Sequence, residues 1–134
     1  MTHYALDTNI VSYFLKEDKE IIERMKSEIM DGNKFIIPPT VYFEIQNWLL
    51  ANNSEKKKII FEKMYSSQGI GVIDKITLDI ASEIKINLQR KGITIGDDVL
   101  IAAYCVRYDY ILVTNNVDHF KGIEDLHIIN WKNK

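Results

Sequence analysis

Short strand-like runs alternate with longer helix-like segments along the whole chain, and the connections between them are short. The candidate strands are rich in β-branched or aromatic residues, and they cover residues 3–6, 35–37, 70–73, 110–113 and 127–129. Strands that alternate with helices in this way are typical of an α/β domain, because parallel strands need a helical crossover between them. The sequence therefore predicts an α/β fold with a mainly parallel sheet.

Apolar residues at helical spacing predict the helices between these strands. Two helices are expected after the first strand. Thr40 is expected to cap a helix that ends near residues 52–53, and further helices are expected over about 54–67 and 77–91. The stretch 98–106 is apolar almost all round, which predicts the central and most buried helix.

Size and composition exclude several classes of protein. The 134 residues are the usual length of one domain, so we expect a single domain over residues 1–134. The lone cysteine, Cys105, lies inside an apolar run and is expected to be a buried small side chain. Neither a signal peptide nor an apolar stretch of about 20 residues is found, so we expect a cytoplasmic location. A net charge of −2 argues against nucleic-acid binding through a broad basic surface, leaving local patches and metal ions to supply attraction.

Asp7 directly follows the first predicted strand. Open α/β sheets bind ligands at the carboxyl edge of their strands, so this carboxylate is a candidate for a binding site. The alternative is a helix cap, since Asp is favoured at that position. Thr8 could cap the helix equally well, which would leave Asp7 free to face a cleft.

Two further acids lie near apolar helical faces. Glu44 stands between Val41 and Trp48, and a carboxylate placed there needs a donor, a cation or a metal ion. Its alternative is an acid in the first turn that interacts with the helix dipole, or one in an ion pair. Asp97 and Asp98 open the buried helix, so one is expected to cap it and the other is free to bind a metal.

A polar segment also leaves the fourth predicted strand, and there Asn116 or Asp118 could supply a fourth oxygen ligand. A simple turn is the alternative, because turns are rich in Asn and Asp. An all-oxygen site selects Mg²⁺ or Mn²⁺ over Zn²⁺, and the three histidines show no zinc-motif spacing. The chain also lacks the phosphate-binding, dinucleotide-binding and serine-hydrolase motifs.

Basic and aromatic side chains could contact nucleic acid. The candidates for phosphate contacts are Lys16, Lys56, Lys57, Lys58, Arg90 and Lys91. Solvated helix surface is the alternative, above all for the three consecutive lysines. Tyr13, Trp48 and Tyr65 could stack on bases or join a dimer interface, although Trp48 could equally pack in the core.

Four segments together resemble a PIN domain of the VapC toxin type over essentially the whole chain: LDTNIVSYFL, VYFEI, IGDDVLIAA and VTNNVDHF. The resemblance implies a three-layer α/β/α sandwich around the parallel sheet. It makes Asp7, Glu44 and Asp98 the acidic core, and it puts Asn116 where many relatives carry a fourth acid. Asn keeps a ligand oxygen but lacks the charge, so one metal ion is the safer expectation.

The resemblance further implies an endoribonuclease that depends on Mg²⁺ or Mn²⁺ and cuts structured RNA such as transfer RNA. Asp7 and Asp98 would coordinate the ion, while Glu44 would position or deprotonate the attacking water. A homodimer and a VapB-like antitoxin partner are also implied. Two alternatives are an inactive binding module with the same pocket and, less favoured, a dehalogenase-like phosphatase, whose second acid is replaced here by Asn9.

Overall fold

The computed structural model describes residues 1–132, and the predicted domain of residues 1–134 extends two residues beyond them. In this part of the chain, strands β1 (His3–Leu6), β2 (Lys34–Ile36), β3 (Ile111–Val113) and β4 (Ile128–Ile129) pair in parallel. The helices that flank the sheet are α1 (Thr8–Leu15), α2 (Lys19–Met30), α3 (Pro39–Asn52), α4 (Glu55–Gln68), α5 (Lys75–Arg90), α6 (Asp98–Tyr108) and α7 (Val117–Phe120). The predicted α/β/α fold with a short-stranded parallel sheet is confirmed.

The core lies between the central strands and the helices that cover them. Ala5 and Leu6 of β1 and Leu112 and Val113 of β3 are fully buried, as expected for parallel strands covered on both faces. Helix α6 is buried over most of its length, so the prediction of a central apolar helix at 98–106 is confirmed. None of the helices within residues 1–132 is long and apolar enough to cross a lipid bilayer.

The strand order β2-β1-β3-β4 determines where a cleft opens. From β1 the chain crosses to β2 on one side, whereas β3 lies on the other side of β1. Such a reversal leaves a crevice at the carboxyl ends of the two inner strands, where α/β proteins bind ligands. Leu6 pairs with Val113, so the next residues, Asp7 and Thr114, leave the sheet side by side at this crevice.

The predicted strand at 70–73 is wrong. Only Ile70 pairs with the sheet, through an isolated bridge to Ile37, and Val72 is already 72% exposed. A Cβ atom on Gly71 would lie 2.5 Å from the Tyr104 ring, so glycine is required by the close approach of α6. The segment therefore passes the sheet edge without extending the ladder.

The start of α3 also differs from the prediction. Thr40 does not cap the helix, because Pro38 occupies the cap position and Pro39 is already the first helical residue. Proline suits the first turn of a helix, since its fixed φ is helical and its missing N–H would have no partner there. The Thr40 hydroxyl is buried and has no hydrogen-bond partner in residues 1–132.

A buried cluster of polar side chains connects α2 to β1 through hydrogen bonds. Glu28 is 8% exposed and accepts hydrogen bonds from Tyr4 Oη at 2.9 Å, Arg24 Nε at 2.9 Å and Asn33 Nδ2 at 2.8 Å. Burial alone would raise the pKa of Glu28, but these three donors outweigh it and the pKa is lowered. The ionised carboxylate is thus a structural contact of the folded state.

Candidate active site

Asp7 lies at the carboxyl end of β1 and is only 5% exposed. Its Oδ1 accepts a hydrogen bond from the backbone N of Thr8 at 2.7 Å, and its Oδ2 accepts one from Thr114 Oγ1 at 2.7 Å. Asp7 is therefore the cap of α1, and the alternative that Thr8 caps this helix is wrong. Burial raises the pKa of Asp7, the two hydrogen bonds oppose that rise, and the nearby charge of Asp98 adds to it.

Thr114 organises the floor of the crevice and is fully buried. Besides donating to Asp7, its hydroxyl accepts a hydrogen bond from the backbone N of Asn116 at 3.0 Å. Asn9 completes the arrangement, because its Oδ1 accepts from the backbone N of Asn115 at 3.0 Å. The Asn9 side chain thereby ties the loop after β3 to the first turn of α1. The polar segment after β3 was expected to border the cleft, but sequence reasoning assigned neither Thr114 nor Asn9 a part in holding the site.

Glu44 is exposed on α3 and faces the first turn of α1. Its Oε2 accepts a hydrogen bond from Thr8 Oγ1 at 3.3 Å. Partial burial raises the pKa of Glu44, and the charge of Asp98 raises it further. Glu44 is the sixth residue of α3 and has no basic partner among the ion pairs of residues 1–132, so neither alternative to a site residue applies.

Asp98 is the first residue of α6, and its side chain is 39% exposed. The side chain of His119, in the short helix α7, places Nε2 3.0 Å from Asp98 Oδ2. No spacing rule links residues 98 and 119, so this neighbour was not found from the sequence. Of the two acids that open α6, Asp97 occupies the cap position, but its backbone is already helical and its side chain makes no capping hydrogen bond.

The two candidates for a fourth oxygen are placed differently. Asn116 precedes α7 and is tied to the crevice through its backbone hydrogen bond to Thr114. The Asp118 side chain is 88% exposed and pairs with Lys121 at 3.3 Å, so it is directed to solvent. Of the two, Asn116 is the residue that the fold connects to the acids.

The three acids suit a hard cation in their chemistry more than in their present spacing. Asp7, Glu44 and Asp98 offer only carboxylate oxygens, and Asp98 raises the pKa of both other acids, a repulsion that a cation would offset. Within residues 1–132, however, no three or more His, Cys, Asp or Glu side chains converge as ready-made metal ligands. Mg²⁺ keeps several waters when it binds to proteins, so water molecules would have to link these acids to one ion.

Comparison with known proteins shows which family the chain is similar to. The PIN domain family model matches residues 4–126, a span that includes all three acids. Ribonuclease VapC2 of Rickettsia felis is 29% identical over 132 residues, which are 96% of this chain and 97% of that protein. Ribonuclease VapC1 of Haemophilus influenzae is 25% identical over the same length and the same shares of the two chains.

Solved structures give the same fold. The crystal structure of VapBC2 from Rickettsia felis bound to a DNA fragment from their promoter matches with a TM-score of 0.86 at 26% identity, over 98% of this chain and 100% of that chain. DNA-bound VapBC from Salmonella typhimurium matches with a TM-score of 0.85 at 24% identity and the same coverage. The topology that brings residues 7 and 114 together is therefore shared with experimentally determined structures.

Proposed function

The chain belongs to the PIN-domain family, and on that premise we propose that it is an endoribonuclease dependent on Mg²⁺ or Mn²⁺, the toxin of a VapBC-type toxin–antitoxin pair. One observation carries the proposal. Acids from three distant segments lie around the crevice at the switch point of the sheet, where burial raises the pKa of Asp7 and of Glu44 and the charge of Asp98 adds to both shifts. Ion pairs do not account for two of the three acids, because within residues 1–132 Asp7 and Glu44 accept their hydrogen bonds from hydroxyl and amide groups, whereas Asp98 lies beside His119.

The three acids would share two tasks in RNA hydrolysis. Asp7 and Asp98 would hold the divalent ion, which when bound offsets the negative charge that grows on the phosphate. Glu44 would take the proton of the water that attacks phosphorus, while the bond to the leaving oxygen breaks and that oxygen takes a proton from solvent. Its raised pKa brings it closer to the working pH, where a general base is most effective. The Thr8 hydroxyl orients Glu44, and Asn116, which its backbone N ties to Thr114, would offer a further oxygen ligand.

The proposed partner, substrate and assembly follow from the similarity to VapC ribonucleases. The two solved structures described above are VapBC complexes, which supports a VapB-like antitoxin as the protein partner of this chain. We further propose structured RNA such as transfer RNA as the substrate, a homodimeric assembly and a cytoplasmic location. An antitoxin that binds over this cleft would inhibit the nuclease by covering the three acids.

The nuclease assignment is tested with labelled transfer RNA incubated with the purified chain and Mn²⁺, Mg²⁺ or EDTA. Cleavage is expected with either metal and is expected to stop in EDTA. Asp7→Asn and Glu44→Gln should each lower the rate by about 100-fold or more, since each removes one group of the reacting site. Asp79→Asn is the matched control, because Asp79 is exposed on α5 and pairs with Lys75 at 2.8 Å.

Cleavage that persists in EDTA, or in Asp7→Asn, would contradict the metal-nuclease assignment. Metal-dependent RNA binding without turnover would instead identify an inactive binding module. Hydrolysis of a small phosphomonoester would favour a dehalogenase-like phosphatase, although Asn9 is engaged with the backbone of Asn115 and supplies no second acid.

A further inference from the structure

A cavity of about 250 Å³ opens beside Glu44, between α1 and α3, and its lining differs from end to end. At one end are Glu44 and the Thr8 hydroxyl, which belong to the acidic crevice. At the other end are Lys16 and the indole of Trp48, with the Ser12 hydroxyl between the two ends. We call this space the Trp48 cavity. It is continuous with the proposed reaction centre, because Glu44 lines both.

Trp48 is placed unlike its apolar neighbours on α3. Ile45 and Leu49 are 4% and 0% exposed, whereas Trp48 is 40% exposed and borders open space. Core packing, the alternative considered for this residue, is therefore not what the structure shows. A large aromatic side chain left half-exposed beside a polar cleft offers a stacking surface to a planar ligand.

The charges around the cavity favour an anionic ligand at the Trp48 end. Lys57 Nζ lies 5.1 Å from the centre of the Trp48 ring, over one of its faces. The two lysines next to Lys57 in the sequence form ion pairs. Lys56 pairs with Glu17 at 3.2 Å, and Lys58 pairs with Glu55 at 3.4 Å. Lys16 and Lys57 form no ion pair in the described part of the chain. Two cations without an acidic partner in residues 1–132 thus stand at the end of the cavity away from the acids.

We propose that the Trp48 cavity binds one unpaired nucleotide of the RNA next to the cleaved phosphodiester. Its base stacks on the Trp48 indole, its phosphate contacts Lys16 and Lys57, and the Ser12 hydroxyl is available to the sugar or base edge. This subsite rests on the proposed nuclease function, since it places the scissile phosphate at Glu44. Stacking of this kind accepts any base, so the cavity selects for a single-stranded nucleotide more than for its identity.

Tryptophan fluorescence tests the subsite without any need for cleavage. The chain has two tryptophans, and the second, Trp131, is 4% exposed, so a ligand in solution reaches only Trp48. Adenosine monophosphate is expected to quench the emission saturably, whereas ribose 5-phosphate, which has no base, should not. Quenching should be absent in Trp48→Phe. Unchanged emission with adenosine monophosphate, or equal quenching in Trp48→Phe, would overturn the subsite.

Steady-state cleavage of RNA supplies a second readout. Trp48→Ala is expected to raise KM about tenfold, the usual effect of losing one base–aromatic stack, with a smaller change in kcat. Trp48→Phe should restore most of the affinity because it keeps a ring. Leu50→Ala is the control, since Leu50 is an apolar residue of α3 that is 61% exposed and does not line the cavity.

The two proposals fail in different ways. If the wild type cleaves RNA but Trp48→Ala keeps the wild-type KM, the subsite is refuted and the nuclease function stands. If no RNA is cleaved under any condition while adenosine monophosphate still quenches Trp48, the nuclease function is refuted and a nucleotide-binding site remains.

Discussion

Replacing Thr114 with valine tests whether the buried hydroxyl holds the Asp7 carboxylate in place. Valine has a similar volume, so the change removes the hydrogen bond to Asp7 at 2.7 Å and leaves little cavity. A hydrogen bond to an ionised group contributes about 1.5–3 kcal/mol. The same change removes the hydrogen bond from the Asn116 backbone N, which adds little because Asn116 is exposed and water can replace the hydroxyl. For a chain of this size we expect a fall in Tm of roughly 6–12 °C.

The destabilisation should depend on pH in a definite direction. The pKa of Asp7 is raised in the folded state, so the stability contributed by its neutral form is complete below the unfolded pKa and is lost as the pH rises through the folded pKa. The Thr114 hydroxyl opposes that rise, and Thr114→Val therefore raises the folded pKa of Asp7 further. Below the folded pKa values of both proteins the penalty is that of a neutral hydrogen bond, about 1 kcal/mol, and it grows to the full value above them.

Urea unfolding followed by circular dichroism measures this penalty between pH 4 and pH 8, in EDTA so that no cation binds the carboxylate. Thr114→Ser keeps the hydroxyl and should restore the pH dependence of the wild type. A penalty that is the same at every pH, or a serine variant as unstable as the valine variant, would refute the assigned role of the hydroxyl.

Two further changes probe the frame around the site. Tyr4→Phe removes one donor from buried Glu28 and should cost about 1.5 kcal/mol near neutral pH. Because the folded pKa of Glu28 is lowered, that cost should shrink to the smaller cost of a neutral hydrogen bond as the pH falls through this pKa in urea titrations, and a cost independent of pH would contradict the ionised contact. Gly71→Ala should lower stability by about 1–3 kcal/mol, since its Cβ would meet the Tyr104 ring at 2.5 Å. Thermal melts measure this loss, and Gly96→Ala is the control because no atom lies within 4 Å of its added Cβ. Equal Tm values for the two variants would show that the Tyr104 contact imposes no constraint.

The sequence predicted the elements whose pattern is local. Strand β1 was expected at 3–6 and is found there, because an apolar run ends sharply at Asp7. The buried helix α6 was expected for a similar reason, since its residues are apolar on all sides. The segment 70–73 misled the prediction, because its β-branched residues report a preference for extended backbone and say nothing about an available partner strand.

The acids of the candidate site were easier to find than the groups that hold them. A carboxylate beside an apolar run is conspicuous, as at Asp7 and Asp98. Thr114 is an ordinary residue at the end of a strand, and its partner lies 107 positions away. His119 likewise meets Asp98 only through the tertiary fold. Contacts across such distances leave no local pattern, so the supporting polar groups required the structure.

The hydrogen bond that joins residues 7 and 114 also has a consequence for the order of synthesis. A nascent polypeptide that has emerged only as far as residue 110 already carries the carboxylates of residues 7, 44 and 98, yet β1 then has a neighbour on one edge only. The crevice cannot close around Asp7 until β3 and the Thr114 hydroxyl arrive. Clipped or half-translated products are therefore expected to lack the assembled crevice, whatever acids they contain.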